Sequence, residues 1–288
     1  MAGATFKESN YALRKFKSDF MMTITVAATV ITLIPLFLVL GYLLFKGASS
    51  VNWAFFTHMP APVGEKGGGM ANAIFGTFLV VGIACLIGVP IGIGAGLFLA
   101  EHRNNRLADA VRFSADVMMG VPSIVVGIFA YAVIVHPMGR FSTLAGAFAL
   151  AIIMIPLVTR TTEEMIVLVP HELREASLAL GVPQWKTSLS VIVRTALSGI
   201  ATGVILAIAR VAGETAPLLF TAFGNHFWST SLVQPIATLT VQVYTYAISP
   251  FPDWQRQAWA GALVLTGIVL TLELGVRWVT RAPAKTAH

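Results

Sequence analysis

The sequence is poor in cysteine and in charge. Its 288 residues include one cysteine and 11% charged residues, against 56% hydrophobic residues and a mean hydropathy of +0.79. A single cysteine, Cys85, excludes an intrachain disulfide. So few charges exclude an ordinary water-soluble domain of this length, and the composition indicates an integral membrane protein.

The sequence also lacks the common motifs for metals and nucleotides. Its six histidines are dispersed without metal-ligand spacing, at His58, His102, His136, His171, His226 and His288. No Gly-x-x-x-x-Gly-Lys-Ser/Thr stretch is present to cradle nucleotide phosphates. We therefore expect no metal site, no cofactor bound by this chain and no ATPase activity of its own. The net charge of +6 is scattered over short connections, which does not indicate nucleic-acid binding.

Six apolar stretches are long enough to cross a bilayer, which needs about 20 mainly apolar residues. They are approximately 21–45, 70–99, 113–135, 142–160, 195–223 and 256–279. The first is too long for a cleavable signal sequence, so it is predicted to be a retained spanning helix. The predicted organisation is a cytoplasmic segment 1–20, one all-α transmembrane domain 21–280 and a cytoplasmic tail 281–288.

Lysine and arginine indicate the orientation of these spans. Most of the 19 basic residues fall in the amino terminus, 101–112, 160–194 and the carboxyl tail, all on one side of a six-span topology. The basic side is the cytoplasm, which places both termini inside. The outer connection 224–254 is rich in apolar residues, so it is predicted to lie on the membrane surface or to dip back into the bundle. The glycine-rich second span predicts close helix packing.

Arg210 and Glu214 lie inside the fifth apolar run, where charge is costly. An arginine at the centre of a membrane helix costs roughly 2.5–3.5 kcal/mol on insertion scales. On a continuous helix, Glu214 lies one turn after Arg210 and on the same face, where the two can pair. Two readings stay open from the residues alone: a static ion pair that aids packing, or a charged site on a solute pathway. The adjacent Glu163 and Glu164 are expected on a solvated cytoplasmic face.

The cytoplasmic connection before the fifth span carries a helix signal of its own, at approximately 171–181. Pro170 suits a helix start, and Gly181 followed by Pro183 supplies a stop. The pattern places Leu173, Ala176 and Leu180 on one stripe, with Arg174 and Glu175 towards the other side. A helix this short gains its stability from packing against another surface.

The run from Glu175 to Gly181, Glu-Ala-Ser-Leu-Ala-Leu-Gly, resembles the cytoplasmic signature of ATP-binding-cassette (ABC) importer permeases. The resemblance implies six transmembrane helices of the type I importer architecture and a coupling helix that docks in a cleft of the ATPase subunit. Leu173, Ala176 and Leu180 would fill that cleft, Arg174 and Glu175 would meet the ATPase, and Gly181 would end the helix. The proline that the family has after this segment is absent here, where the chain reads Val191-Ile192-Val193-Arg194.

Three further segments narrow the resemblance to phosphate-specific permeases of the PstA type. They begin at Val121-Pro122-Ser123, at Arg160-Thr161-Thr162 and at Ala209-Arg210-Val211-Ala212-Gly213-Glu214-Thr215. The resemblance implies an inner-membrane subunit that pairs with a homologous PstC-type permease, two ATPase subunits that use ATP and magnesium, and an external phosphate-binding protein. In that family the residues matching Arg160, Arg210 and Glu214 are tied to phosphate passage.

These assignments support a mechanism, stated as a hypothesis. Arg210 attracts phosphate through a planar fork of donors, Glu214 competes for Arg210 and favours release, and Arg160 receives the anion on exit. From position alone, Arg160 is equally an ordinary cytoplasmic anchor. The alternatives are a permease for sulfate or molybdate, a secondary transporter, which would show two similar halves, and a membrane enzyme, for which no catalytic constellation stands out.

Overall fold

The chain folds into helices alone over the residues that the computed structural model describes, 11–65 and 67–280. The long helices are α1 (Tyr11–Ala48), α3 (Ala71–Glu101), α4 (Arg106–Gly120), α7 (Thr143–Val167), α10 (Val193–Ala212) and α13 (Pro252–Thr280). Shorter helices are α2 (Trp53–Thr57), α5 (Ser123–Ala130), α6 (His136–Met138), α8 (His171–Ala179), α9 (Gln184–Thr187), α11 (Ala216–Leu219) and α12 (Leu239–Ala247). Single π-helical turns at Tyr131–Val135 and Ser188–Ile192 join α5 to α6 and α9 to α10. The predicted all-α fold class is confirmed.

Among the described residues, five helical segments are long and apolar enough to cross a membrane, and there are six if a bent pair of helices is counted as one span. The bent pair joins 106–120 to 123–138 at an angle of 104°. The sequence predicted one uninterrupted span over 113–135, and this prediction is wrong at Pro122. The residue before a proline is driven into extended backbone, and Val121 has φ −71° and ψ 129°, so the helix must stop there. The predicted tail 281–288 and the first ten residues lie outside the described residues.

Helices α3 and α7 form the centre of the bundle, where glycines let the two backbones approach. Gly88, Gly92 and Gly96 follow one another at four-residue spacing along α3 and all face α7. A Cβ built on Gly92 would lie 2.6 Å from Cβ of Val158, and one built on Gly96 would lie 2.6 Å from the Thr159 carbonyl oxygen. The close packing predicted from the glycine-rich run is therefore confirmed.

We expect Gly92→Val to destabilise the bundle by about 1–3 kcal/mol, the usual cost of overpacking. The added side chain has to displace Val158, which is fully buried. Gly94→Val is the matched control, because Gly94 is on the same helix but a Cβ there would have no atom within 4 Å. Thermal denaturation of the detergent-solubilised protein measures the difference. Equal midpoints for the two variants would contradict the packing role.

The segment 213–238 dips back into the bundle. Of the two arrangements predicted for the outer connection, this part of the chain therefore adopts the second. Thr221, Ala222, Ile236 and Thr238 are buried at the start of α3 and α7. The hydroxyl of Thr143 donates to the Ser231 carbonyl at 2.8 Å, one of several bonds that hold this segment. Apart from the single turn of α11, this segment is not helical, and its polar backbone is tolerated at this depth because protein surrounds it.

Candidate functional site

Arg210 lies in the last turn of α10, beside the break in the bent span. Its side chain helps to line a cavity of about 250 Å³ whose other lining residues are Met118, Met119, Val121, Ser123, Val125, Val126, Phe129, Ile152 and Ile153. Every other lining residue is uncharged, and Arg210 is exposed in this chain. Within the described residues, Arg210 takes part in no salt bridge within 4.0 Å. The site therefore presents one cationic group to an apolar cavity.

Glu214 does not share a helix with Arg210, in contrast to the prediction. Helix α10 ends at Ala212, where the sequence predicted a span continuing to residue 223. Pro217 has no N–H to continue the ladder and its ring clashes with the carbonyl four residues earlier, at Gly213. Glu214 therefore sits half-buried on the irregular segment after α10, and the salt bridges among the described residues do not pair it with Arg210.

Arg160 is paired with two carboxylates on its side of the bundle. Its Nε lies 3.0 Å from Asp116 Oδ1, on α4, and its Nη1 donates to Glu163 Oε2 at 2.6 Å. Glu163 Oε1 also accepts a hydrogen bond from Arg112 Nε at 2.9 Å, and Nη1 of Arg112 donates to Asp109 at 2.8 Å. We call Asp109, Arg112, Asp116, Arg160 and Glu163 the α4–α7 charge cluster, because it ties these two helices together.

The predicted exposure of Glu163 is wrong, and Glu163 is a site residue that sequence reasoning missed. The adjacent pair was expected on a solvated face, but Glu163 is only 7% exposed, whereas Glu164 is exposed. Neighbouring residues on a helix point in different directions, so one can be buried while the other is solvated. The signal that could have found Glu163 is its spacing of three residues from Arg160, which puts both on one helix face.

The short helix α8 presents an open face. Leu173, Glu175, Ala176 and Leu180 are exposed, and Leu180 is 84% exposed. The face turned towards the bundle contains Ser177, whose hydroxyl lies 2.9 Å from that of Thr187. A second cavity, of about 840 Å³, lies between the end of α3 and the start of α8. The apolar residues that the sequence placed on a docking stripe are thus free to meet a partner.

Gly181 ends α8 with the backbone conformation that a helix stop requires. Its φ is +78°, in the left-handed region that favours glycine, and its N–H donates to the Leu178 carbonyl at 2.9 Å. The Val182 N–H then donates to the Ser177 carbonyl at 3.3 Å. The stop at Gly181 and Pro183 was predicted from the sequence, and the helix ends there.

Arg174 points into its own chain instead of towards a partner. Its two terminal nitrogens each donate to Glu101, at the end of α3, over 2.6 Å, and Ser188 donates to the same carboxylate at 3.0 Å. The hydrogen bonds that Arg174 donates to Glu101 raise the pKa of Arg174 above its ordinary value, and partial burial opposes them. This differs from the predicted contact with the ATPase, because a carboxylate 73 residues away in the chain takes both ends of the guanidinium fork.

We expect Arg174→Gln to weaken the attachment of α8 to α3 by about 1.5–3 kcal/mol, the usual contribution of a hydrogen bond to a charged group. The glutamine leaves the Glu101 carboxylate, which is 9% exposed, without its bidentate partner. Glu172→Gln, an exposed residue of the same helix, is the matched control. Limited proteolysis of the 170–183 connection reports the attachment. Restored protection in a Glu101→Arg, Arg174→Glu double variant would identify the pair itself, and unchanged cleavage in Arg174→Gln would contradict it.

The fold and the coupling-type helix define a class of membrane transport protein. Residues 88–284 match the family described as binding-protein-dependent transport system inner membrane component. The chain belongs to this family of importer permeases.

Similar proteins of known type narrow the class of importer permease. The chain is 46% identical over 278 residues to the phosphate transport system permease protein PstA of Yersinia pestis, covering 95% of this chain and 94% of that protein. It is 46% identical to PstA of Haemophilus influenzae, over 92% and 94% of the two chains. A probable PstA of Methanocaldococcus jannaschii is 35% identical over 95% and 97%. Within the importer permeases, the chain is thus of the PstA type.

Solved structures share the fold at low sequence identity. The inward-facing MetNI methionine ABC transporter superposes with a TM-score of 0.61 at 17% identity, over 74% of this chain and 95% of that chain. A bacterial alginate ABC transporter, solved with an alginate-bound periplasmic protein, has a TM-score of 0.66 at 14% identity, over 95% and 98%. The predicted type I importer permease architecture is confirmed by these neighbours.

Proposed function

We propose that this chain is one of two permease subunits of an ATP-driven, high-affinity importer of inorganic phosphate. It forms half of the pathway with a homologous PstC-type permease and works with two ATP-binding-cassette subunits and an external phosphate-binding protein. It lies in the bacterial plasma membrane with both termini in the cytoplasm. ATP and magnesium belong to the partner subunits, and this chain binds no cofactor. The phosphate named in its relatives favours phosphate over sulfate or molybdate.

The observation that carries this proposal is the charge of Arg210 at an otherwise uncharged cavity. A guanidinium without a carboxylate partner attracts an anion, and its planar donors fit the oxygens of phosphate. The attraction is stronger here than in water because few polar groups surround it. A water occupies about 30 Å³ in the liquid, so the cavity of about 250 Å³ holds a tetrahedral oxyanion with part of its hydration shell.

The break in the bent span adds a second favourable feature for an anion. Val121 and Ser123, on either side of Pro122, both line the cavity. Helix α5 begins at Ser123, and the first N–H groups of a helix have no partner within it. They carry partial positive charge, which favours anions. The start of α5 after Pro122 therefore favours an anion in the same cavity as Arg210 does.

Glu214 and Arg160 complete the proposed pathway. Glu214 follows the end of α10 and comes directly after Gly213, a residue type with wide conformational freedom. Rearrangement of this junction would bring the Glu214 carboxylate to Arg210 and favour release of phosphate. Arg160 lies seven residues beyond Ile153 of the cavity, about 10 Å along α7 at 1.5 Å per residue. An anion leaving Arg210 in that direction meets Arg160 next.

Coupling to ATP runs through α8 into α10. Leu173, Ala176 and Leu180 dock as helix-in-groove anchors on the ATPase, and Glu175 adds a charged contact. From residue 184 to residue 212 the chain is one helical run, and Arg210 lies in its last turn. Movement of the docked helix is thereby passed to the end of α10 that holds the anion.

Phosphate-stimulated ATP hydrolysis tests the proposed function. The four-subunit complex is reconstituted in vesicles with its binding protein, and hydrolysis is measured with phosphate, sulfate and molybdate in turn. We expect stimulation by phosphate alone, accompanied by phosphate uptake. Stimulation by sulfate or molybdate at equal concentration, without stimulation by phosphate, would assign the permease to the other oxyanion.

A further inference from the structure

Glu163 is a buried carboxylate held between two arginines from two helices. Arg112 Nε and Nη2 each lie 2.9 Å from Glu163 Oε1, and Arg160 Nη1 lies 2.6 Å from Glu163 Oε2. Its side chain is 9% exposed, while that of Asp116, the other partner of Arg160, is 48% exposed. Both oxygens of Glu163 are therefore used, and the carboxylate joins α4 to α7 from the buried side.

The pairing engages Arg160 so that, among the described contacts, only its Nη2 is free of a carboxylate, and no two neighbouring nitrogens are both free for an oxyanion. Bidentate recognition uses two neighbouring N–H donors of a guanidinium. Asp116 takes Nε of Arg160 and Glu163 takes Nη1, so donors on both sides of the group are engaged. Arg210 differs, because it has no salt-bridge partner within the described residues. The chain thus presents one available arginine at the cavity and one occupied arginine beyond it.

The occupied arginine lies where the bent span meets α7. Asp116 precedes Met118 of the cavity lining by two residues on α4, and Arg160 follows Ile153 on α7. α4 and α7 run in opposite directions here, with Arg112 at Glu163 and Asp116 at Arg160. Along both helices the α4–α7 charge cluster therefore comes next after the residues that line the cavity, on the side where α7 leads to α8. Separating α4 from α7 therefore breaks the Arg160–Asp116 and Arg112–Glu163 pairs, which leaves the intrahelical Arg160–Glu163 pair as the last hold on Arg160.

We infer that Glu163 is a positioning residue that keeps the exit from the Arg210 cavity closed, by holding Arg160 in an ion pair and α4 against α7. This inference rests on the proposed phosphate pathway. When α4 moves away from α7, Arg160 exchanges the carboxylates for phosphate, and the anion passes. Glu163 then competes with phosphate for Arg160 and resets the closed arrangement. Neutralising Glu163 removes that competition at all times.

The test is ATP-independent leak of phosphate through the complete importer. Vesicles containing the four-subunit complex are loaded with labelled phosphate, and efflux without ATP is measured together with phosphate imported per ATP hydrolysed. We expect Glu163→Gln to raise efflux by about ten-fold or more, because breaking a buried ion pair strongly destabilises the arrangement it holds. Import per ATP falls accordingly. Glu163→Asp, which keeps the charge, restores both quantities in large part, which a purely structural substitution effect does not predict.

Glu164→Gln is the matched control, since it removes the same charge from the adjacent, exposed position. Equal efflux from Glu163→Gln and Glu164→Gln, in a complex that imports phosphate, would overturn the inference and leave the proposed function standing. A native complex that imports no phosphate would instead overturn the proposed function. If Glu163→Gln is not recovered in the membrane, phosphate efflux is measured on Asp116→Asn instead, because this half-exposed carboxylate also pairs with Arg160. Raised efflux supports the closed exit, and efflux at the Glu164→Gln level overturns it.

Discussion

Replacing Arg210 with glutamine is expected to reduce phosphate uptake by about ten- to a hundred-fold, the effect of losing a charge-assisted hydrogen bond of about 1.5–3 kcal/mol. Glutamine keeps much of the length and polarity of the side chain and removes its charge. The cavity then contains no cation, since its other lining residues are uncharged. Labelled phosphate uptake by cells or vesicles, at matched protein levels in the membrane, measures the loss.

Arg194→Gln is the control for this experiment. Arg194 is an exposed arginine on the same helix, sixteen residues before Arg210. The same substitution there changes the net charge of α10 equally but leaves the cavity unchanged. We expect near-native uptake in Arg194→Gln. Native uptake in Arg210→Gln would remove this arginine from the pathway, whereas equal losses in both variants would point to a general effect on the helix.

The second large effect is expected at the end of the coupling-type helix. Gly181→Pro should uncouple ATP hydrolysis from phosphate uptake, because proline fixes φ near −65° and Gly181 needs φ of +78°. The end of α8 then has to move, and its exposed docking face moves with it. Phosphate uptake is expected to fall several-fold while ATP hydrolysis becomes independent of phosphate. Both quantities are measured on the same reconstituted complex.

Two companion variants separate docking from folding in this experiment. Gly181→Asn is the conservative control, since asparagine tolerates the left-handed region, and it should remain coupled. Glu175→Lys reverses a charge on a side chain that is 74% exposed, so it leaves the permease fold intact and should also uncouple. Coupling that stays unchanged in both Gly181→Pro and Glu175→Lys would count against the docking role of α8.

Much of the membrane architecture could be predicted because long apolar runs and their polar breaks are local signals. The second predicted span, 70–99, corresponds to α3 at Ala71–Glu101, and the helix signal at 171–181 corresponds to α8. The glycine-rich second span also predicted close helix packing, and the structure identifies α7 as the partner helix. In each case the residues that determine the element lie within it.

The interruptions of the spans could not be predicted from hydropathy. Residues after Ala212 remain apolar although the helix has ended, because Pro217, Leu218 and Ala222 are buried in the bundle instead of facing lipid. Lipid and protein interior favour the same side chains, so an apolar run does not distinguish a straight span from a segment that turns back. The same limit applied to the bend of 104° at Pro122.

The charged residues were hardest to assign, since their partners lie far away in the chain. Arg174 pairs with Glu101 and Arg112 pairs with Glu163, over separations of 73 and 51 residues. A helix pattern shows which residues share a face but not which face meets another helix. Arg174 was therefore placed towards a partner subunit, and Glu163 was placed in solvent. The roles of Arg160, Arg210 and Glu214 in phosphate passage stay predictions.

Chemical restoration of the charge at position 210 tests the central claim most directly. Cys85 is the sole cysteine of the chain, so Arg210→Cys in a Cys85→Ala background offers one thiol in this subunit, at a position exposed in the isolated chain. The thiol is treated with an aminoethyl methanethiosulfonate, which adds a cation, or with the uncharged ethyl analogue. We predict that phosphate uptake is lost in the untreated variant and recovers with the cationic reagent only. Recovery with both reagents, or native uptake without either, would contradict a role for positive charge at Arg210.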